Sequence, residues 1–530
     1  MASELNGGGE HPAPEGRRGR GGRASRRAAR QGGGAPSLSQ LPWGQPHLPF
    51  PPMTLLSDDQ IEAIHEASLQ VLEEIGVDFL LPEARTVLKE AGADVDPGSE
   101  RVRFDRALVE DKIATAPERF TMHARNPERN LEMGGNRIAF SAIASPPNAS
   151  DMDRGRRVGN TEDFRNLLRL AQYFNVIHMT GGYPVEPVDR HPSIRHLECL
   201  RDVVTLTDKV GHAYSLGSER IRDGMEIYRI ARGVSPERFA MEPSMVSIIN
   251  SSSPLRLDAP MLGGIMEMSA RGQPVCLTPF TLAGAMAPVT LSGAVVEQNA
   301  EALAGLVFTQ AVNPGAPFIY GAFTSNVDMK SGAPAFGTPE YMKTAIIGGQ
   351  MARRYKVPYR TSNTNAANTV DAQAAYESVF SLWGAVMGGG NFVKHAAGWL
   401  EGGLVASFEK FILDVDLLQM VCEFLKPVEV DPDSLALDAM REVGPGGHFF
   451  GAMHTQERYR TAFYAPLVSD WRNHQAWEEA GSPRAWQKAN AVFKQALAEY
   501  EPPPLDPAIK DELDAFVARR IEEGGAPTDF

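Results

Sequence analysis

Two neighbouring runs decide the fold: Val357-Pro-Tyr-Arg-Thr-Ser-Asn-Thr-Asn-Ala-Ala-Asn-Thr-Val-Asp371 and Gly388-Gly-Gly-Asn-Phe-Val-Lys-His-Ala-Ala-Gly-Trp-Leu-Glu-Gly-Gly-Leu404. The first opens with a strand pattern over 357–362 that breaks into a polar loop. A helical pattern over 371–387 follows, and a second strand pattern over 391–396 ends in a glycine-rich loop. This is a βαβ unit. Both loops follow the C-terminal ends of strands, where free backbone groups and helix N-termini converge in α/β folds, so chemistry is expected there.

The same alternation extends in both directions. Strand patterns cover 137–142, 175–181, 209–215, 244–250, 274–278, 317–321, 357–362 and 391–396. Helical patterns lie between them at 161–174, 192–206, 221–232, 260–270, 294–311, 338–354 and 371–387, and an eighth follows at 406–424. The expectation is an α/β fold, a (β/α)8 TIM barrel over 121–426. A helical region over 51–120 precedes it, with helices starting at Ser57 or Asp58, near 82–91 and over 105–116. A helical extension over 427–530 follows, with a helix start at Asp433-Ser434. Residues 1–50, rich in Gly, Arg and Pro with no hydrophobic period, read as a disordered basic tail.

Charge and cysteine content narrow the function. Of a net charge of −14, the tail carries +4, from seven arginines between Arg17 and Arg30 against Glu4, Glu10 and Glu15, and the remainder −18. An acidic body argues against nucleic acid as a partner, because affinity for it comes from neutralising phosphates with Lys and Arg. Three scattered cysteines, Cys199, Cys276 and Cys422, suit a reducing cytoplasm and form neither a disulfide framework nor a metal motif. His448 and His454 are six apart with no third ligand in view, so no metal site is expected. No run of eighteen apolar residues offers a membrane span.

Four strings carry a family resemblance. Val370-Asp-Ala-Gln-Ala-Ala-Tyr-Glu377, Ala396-Ala-Gly-Trp-Leu-Glu-Gly-Gly-Leu404, Ala406-Ser-Phe-Glu409 and Gly444-Pro-Gly-Gly-His-Phe-Phe-Gly451 with His454-Thr455 resemble the trimethylamine methyltransferase family. The resemblance runs from about residue 55 to about residue 477. It implies a (β/α)8 barrel that passes a methyl group from a methylated amine to the cobalt of a separate corrinoid protein, and assembly into a homo-oligomer. Archaeal members carry pyrrolysine in the loop after the seventh strand. Here that loop, Asn363-Thr-Asn-Ala-Ala-Asn368, holds ordinary residues, which resembles the branch acting on quaternary amines such as glycine betaine. A cobalamin-binding domain would show Asp-x-His-x-x-Gly, and His448-Phe-Phe-Gly451 lacks the Asp. The corrinoid is therefore expected on a partner, with none held tightly by this chain.

On that reading the strand ends supply the site. Removing a methyl group from a quaternary nitrogen releases a neutral amine, so no proton need be delivered; aromatic faces hold the cation and orientation does much of the rest. The candidate substrate-binding residues are Tyr183, Tyr214, Phe280, Phe323, Tyr359 and Trp399, each of which has core packing as its other reading. Asn363 and Asn365 stand where relatives bear pyrrolysine, but Asn is also an ordinary loop former. Glu401 and His395 are the candidate catalytic pair, with a helix-start carboxylate and a structural histidine as alternatives. Strand alternation turns Arg360 outward toward a helix, and its other reading is a bidentate donor to a carboxylate. Gly446, Gly447 and His448 face the corrinoid or form a tight turn. Two rival functions remain: a lyase or hydrolase using Glu401 and His395 on a small polar substrate, and a betaine-binding or sensing protein without chemistry.

Overall fold

A computed structural model of the chain describes residues 38–528. Its centre is a curled sheet of seven parallel strands: β1 (Ala139–Ala142), β2 (Gly211–His212), β3 (Met245–Ile249), β4 (Val275–Leu277), β5 (Phe318–Gly321), β6 (Tyr359–Ser362) and β7 (Phe392–Ala397). They lie in the order β1-β7-β6-β5-β4-β3-β2. Each of the seven coincides with a predicted strand. Every residue of these strands is buried, as a parallel sheet covered on both faces requires.

The remaining predicted strand, over 175–181, shrinks to one residue. Met179 makes single parallel bridges to Ser141 on β1 and to Val210 beside β2. The ladder is short because a side chain takes part of it: the Phe140 N–H donates to Nδ1 of His178 at 3.0 Å instead of to a backbone carbonyl. Burial holds the His178 imidazole well below its ordinary titration range, near 3, so the ring stays neutral and can accept that bond.

Helices follow the strands as the periodicity predicts, and their caps explain where they begin. Asn160 caps Thr161–Tyr173, Asp258 caps Ala259–Ala270 and Asp371 caps Ala372–Met387, each accepting backbone N–H bonds of the first turn. Leu291–Val312 is buried over most of its length because it is sandwiched between the sheet and the N-terminal helices. Those helices are Asp58–Gln70, started by a Ser57/Gln60 capping box, Pro82–Glu90 and Arg106–Ile113. A small sheet of strands two or three residues long accompanies them, too short to show as a period in the sequence.

One end of the large sheet is plugged. The hairpin Phe120–Met122/Leu131–Met133 packs under Ala139, Val246 and Phe392, and Trp43 lies against it. Trp43 belongs to the stretch read as tail, yet Arg129 stacks on it at 4.4 Å and His47 bridges to Arg137. The ordered chain thus begins ahead of residue 50, while the arginine-rich part of the predicted tail lies outside the described residues. Apolar contact with the sheet outweighs the polar composition of 39–50.

Beyond residue 427, Asp433-Ser434 starts no helix. Asp431 and Ser434 bond each other in a turn, and the first helix is Leu437–Val443. Ala485–Glu499 packs on Phe408–Phe424 through Phe493 and Phe408, 5.1 Å apart, and Pro507–Glu522 is tied down by Arg520 on Asp223 at 2.7 Å. Among the described residues no helix is long and apolar enough to cross a membrane.

Candidate functional site

A cavity of about 290 Å³ opens at the C-terminal ends of the strands. Every strand of the sheet, or the residues just after it, contributes a side chain: Ser145 after β1, Tyr214 after β2, Ile248 on β3, Thr278 and Phe280 after β4, Phe323 after β5, Arg360 on β6, and Lys394, His395 and Trp399 on and after β7. No carboxylate is among its lining residues.

One wall is aromatic. Phe280 and Phe323 stack 5.1 Å apart, Trp399 lies 6.4 Å from Phe323, and Phe336 closes the cluster from behind. Trp399 is held by its Nε1–H, which donates to the Asn365 carbonyl at 3.0 Å. Gly403 stands against the indole with φ of +98°, and a Cβ there would lie 2.7 Å from Cζ2. Only glycine fits that approach and that backbone. Tyr214 faces the cavity with its hydroxyl bonded to Ser145 Oγ at 2.6 Å and accepting from Tyr183 N at 3.1 Å.

The lining also holds two cations. Arg360 and Lys394 are each 3% exposed, and neither side chain has a hydrogen bond or ion pair among the described residues. Nε and Nη1 of Arg360 are buried without partners, and its guanidinium rests on the Phe323 face at 5.2 Å. Burial lowers the Arg360 pKa, and burial with Arg360 nearby pushes Lys394 down to about 7. His395, at φ of +56°, accepts from Ala144 N through Nδ1 at 3.3 Å. Burial, then Lys394 and Arg360, hold it well below its ordinary range, so it is neutral with Nε2 as its donor.

The predicted site residues divide. Tyr214, Phe280, Phe323, Trp399 and His395 line this cavity. Tyr183 lies behind Tyr214, 4.7 Å from it, and borders a separate cavity with Arg195 and Arg220. Tyr359 is buried with its hydroxyl donating to the Ala345 carbonyl. Asn363 and Asn365 are buried too, their amides donating to the carbonyls of Ala396 and Ala374. Gly446, Gly447 and His448 lie exposed on the extension, away from the lining.

Glu401 and His395 are not brought together. Glu401 pairs with Arg156 at 3.1 Å and borders a larger cavity of about 540 Å³ with Asp371 and Trp486. Its other carboxylates also have partners: Asp151 pairs with Arg154, Asp371 accepts from Gln373 N, and Glu409 accepts from Met152 N and Asn490, so the smaller cavity is the candidate site. Arg360 corrects its predicted direction: it points inward, where an unpaired cation is costly unless a ligand completes it. Lys394 went unnoticed in the sequence, although a lysine inside Phe392-Val-Lys-His-Ala-Ala397 interrupts an apolar strand and was a legible signal. Phe336 gave none, since it reaches the cluster from a loop.

The family model described as trimethylamine methyltransferase (MTTB) matches residues 19–525. A glycine betaine methyltransferase of Desulfitobacterium hafniense (strain Y51) is 38% identical over 477 residues, covering 90% of this chain and 99% of the relative. The trimethylamine methyltransferase MttB of D. hafniense (strain DSM 10664 / DCB-2) is 28% identical, with 88% and 94% covered. Among solved structures, the hydroxylamine MtmB complex superposes with a TM-score of 0.53 at 8% identity, covering 86% of this chain and 90% of that one, a likeness of fold alone. The match across nearly the whole chain means that this protein belongs to the trimethylamine methyltransferase (MTTB) family.

Proposed function

We propose that the protein transfers a methyl group from a quaternary amine of the glycine betaine kind to the cobalt of a corrinoid protein, without pyrrolysine. The observation that carries this is a cavity with aromatic faces and no carboxylate in its lining. Such a site can bind and aim a methylated cation but offers no carboxylate acid or base. Reduced cobalt supplies the nucleophile: it forms the bond to the methyl carbon, the carbon–nitrogen bond breaks with its electron pair staying on nitrogen, and a neutral tertiary amine leaves. No proton moves, which suits a neutral, desolvated His395. Family membership and the name of the glycine betaine relative support the same reading.

In this reading the seven-stranded sheet and the Met179 segment together make a closed (β/α)8 barrel, supported by the two bridges at Met179. The corrinoid arrives on a partner protein that docks over the cavity mouth, with the exposed Gly446, Gly447 and His448 assigned to that contact. The protein works in the cytoplasm as a homo-oligomer. The rival lyase or hydrolase loses its pair, because Glu401 and His395 border different cavities.

The test mixes the protein with reduced cob(I)alamin or the corrinoid protein and a panel of quaternary amines, and follows the absorption change to methylcobalamin. Conversion with one amine is expected. Tight binding of an amine with no conversion in either assay would return the reading to a binding protein. A second expectation concerns Gly403. Gly403→Ala pushes the Trp399 ring out of place and weakens its cation–π contact, so KM for the amine should rise by about tenfold while kcat changes less. An unchanged KM would remove Trp399 from the binding wall.

A further inference from the structure

We infer that the cavity is a zwitterion site: Arg360 and Lys394 hold an anionic group of the substrate, a carboxylate close to the quaternary nitrogen, and so exclude methylated amines that lack one. This rests on the cavity being the quaternary-amine site, and it goes further by naming the second half of the ligand.

Other buried cations of this chain have partners. Lys410 pairs with Asp414 at 2.5 Å, Arg190 with Asp202 at 2.5 Å, and Lys209 donates to the carbonyls of Ala171, Phe174 and Ile177 at 2.6–2.8 Å. In all three the buried charge is compensated, as its desolvation cost demands. Arg360 and Lys394 depart from that pattern where they border the cavity at the strand ends. They rise from adjacent strands, the register pairing Arg360 with Phe392 and Ser362 with Lys394, and both border the cavity. A carboxylate between them takes charge-assisted hydrogen bonds from both, in the planar fork geometry that guanidinium favours.

The same pair repels a bare cation in a low-dielectric site, so trimethylammonium or choline alone meets two like charges. Phe323 already gives a face to Arg360. The methylated nitrogen is therefore left to Trp399, Phe280 and Tyr214, the other aromatic residues of the lining. A zwitterion satisfies both halves at once.

Titration supports the assignment. The groups that face Lys394 are Arg360 on β6, Cys276 on β4, His212 on β2 and His395 on its own strand, and no carboxylate is among them. The thiol is pushed up and both imidazoles down, so all three are neutral at pH 7. With the free ammonium near 7, an arriving anion raises its pKa and draws a proton onto it. Affinity should be level below about pH 7 and fall as pH rises above it.

Calorimetry on the intact wild-type protein separates the outcomes, using glycine betaine, choline and 3,3-dimethylbutyrate, the last being the carboxylate with carbon in place of the charged nitrogen. Glycine betaine should bind, dimethylbutyrate should bind measurably, and choline should be weaker than glycine betaine by at least about 100-fold. Lys394→Met should weaken glycine betaine and flatten its pH dependence. Choline binding as tightly as glycine betaine overturns the inference, as does glycine betaine binding unchanged in Lys394→Met. Zwitterion-selective binding without methyl transfer in the corrinoid assay would leave this inference standing and remove the methyltransferase reading. Methyl transfer from choline as efficient as from glycine betaine would do the reverse.

Discussion

Arg360→Met is expected to abolish useful turnover while leaving the ligand-free fold at least as stable as the wild type. The guanidinium is 3% exposed and unpaired, so the folded protein bears its desolvation cost with nothing but the face of Phe323 in return. A cation–π contact stabilises by roughly 0.5–2 kcal/mol, whereas the effective cost of burying an ion is several kcal/mol. Methionine fills similar volume with an unbranched, uncharged chain. The net change on ligand-free stability should be a gain on the order of 1–4 kcal/mol, seen as a raised melting temperature. Turnover moves the other way. Losing a fork of charge-assisted bonds should raise KM for glycine betaine at least about 100-fold. A lowered melting temperature with an unchanged KM would make Arg360 a structural residue and leave the cavity without its anion end.

Asp414→Ala is expected to do the opposite, costing stability by about 3–5 kcal/mol. One oxygen of Asp414 takes Lys410 Nζ at 2.5 Å and Ser378 Oγ at 2.9 Å, and the other takes the Gly398 N–H at 2.9 Å. Truncation leaves the Lys410 ammonium buried without its carboxylate. Burial already pulls the Lys410 pKa down, and Asp414 is the largest opposing influence. The site suffers as well, because Gly398 precedes Trp399 and loses its anchor. Thermal denaturation measures the effect, and a double variant sharpens it. Asp414→Leu combined with Lys410→Met should recover most of the loss, since a buried pair replaced by apolar residues is often neutral or better. If the single variant melts within a degree or so of the wild type, the pair is not what holds this loop. The two substitutions thus set an unpaired buried cation against a paired one, with opposite signs of effect on the fold.

The architecture was legible in the sequence because its elements are long or strongly patterned. The helical patterns of 161–174 and 371–387 became Thr161–Tyr173 and Ala372–Met387, each begun by a side chain visible in the sequence, Asn160 and Asp371. The failures are local competitions. His178 replaced a backbone partner within the predicted strand over 175–181, and the Asp431–Ser434 turn displaced a predicted helix start. Neither leaves a period to read.

For the site, the chain order alone determined that aromatic and small polar groups gather at the strand ends, because a parallel α/β array places those ends on one face whatever the side chains are. It did not determine which of them face inward. Tyr359 and Trp399 are both aromatic residues beside the same loop, yet one bonds the Ala345 carbonyl of a covering helix and the other lines the cavity. The direction of Arg360 was likewise decided only in three dimensions. Local alternation sends Arg360 outward toward a helix, and only the assembled neighbours show that it lies inside with Lys394 and no carboxylate. That arrangement is a property of strands brought together from across the chain, and no single stretch of sequence contains it.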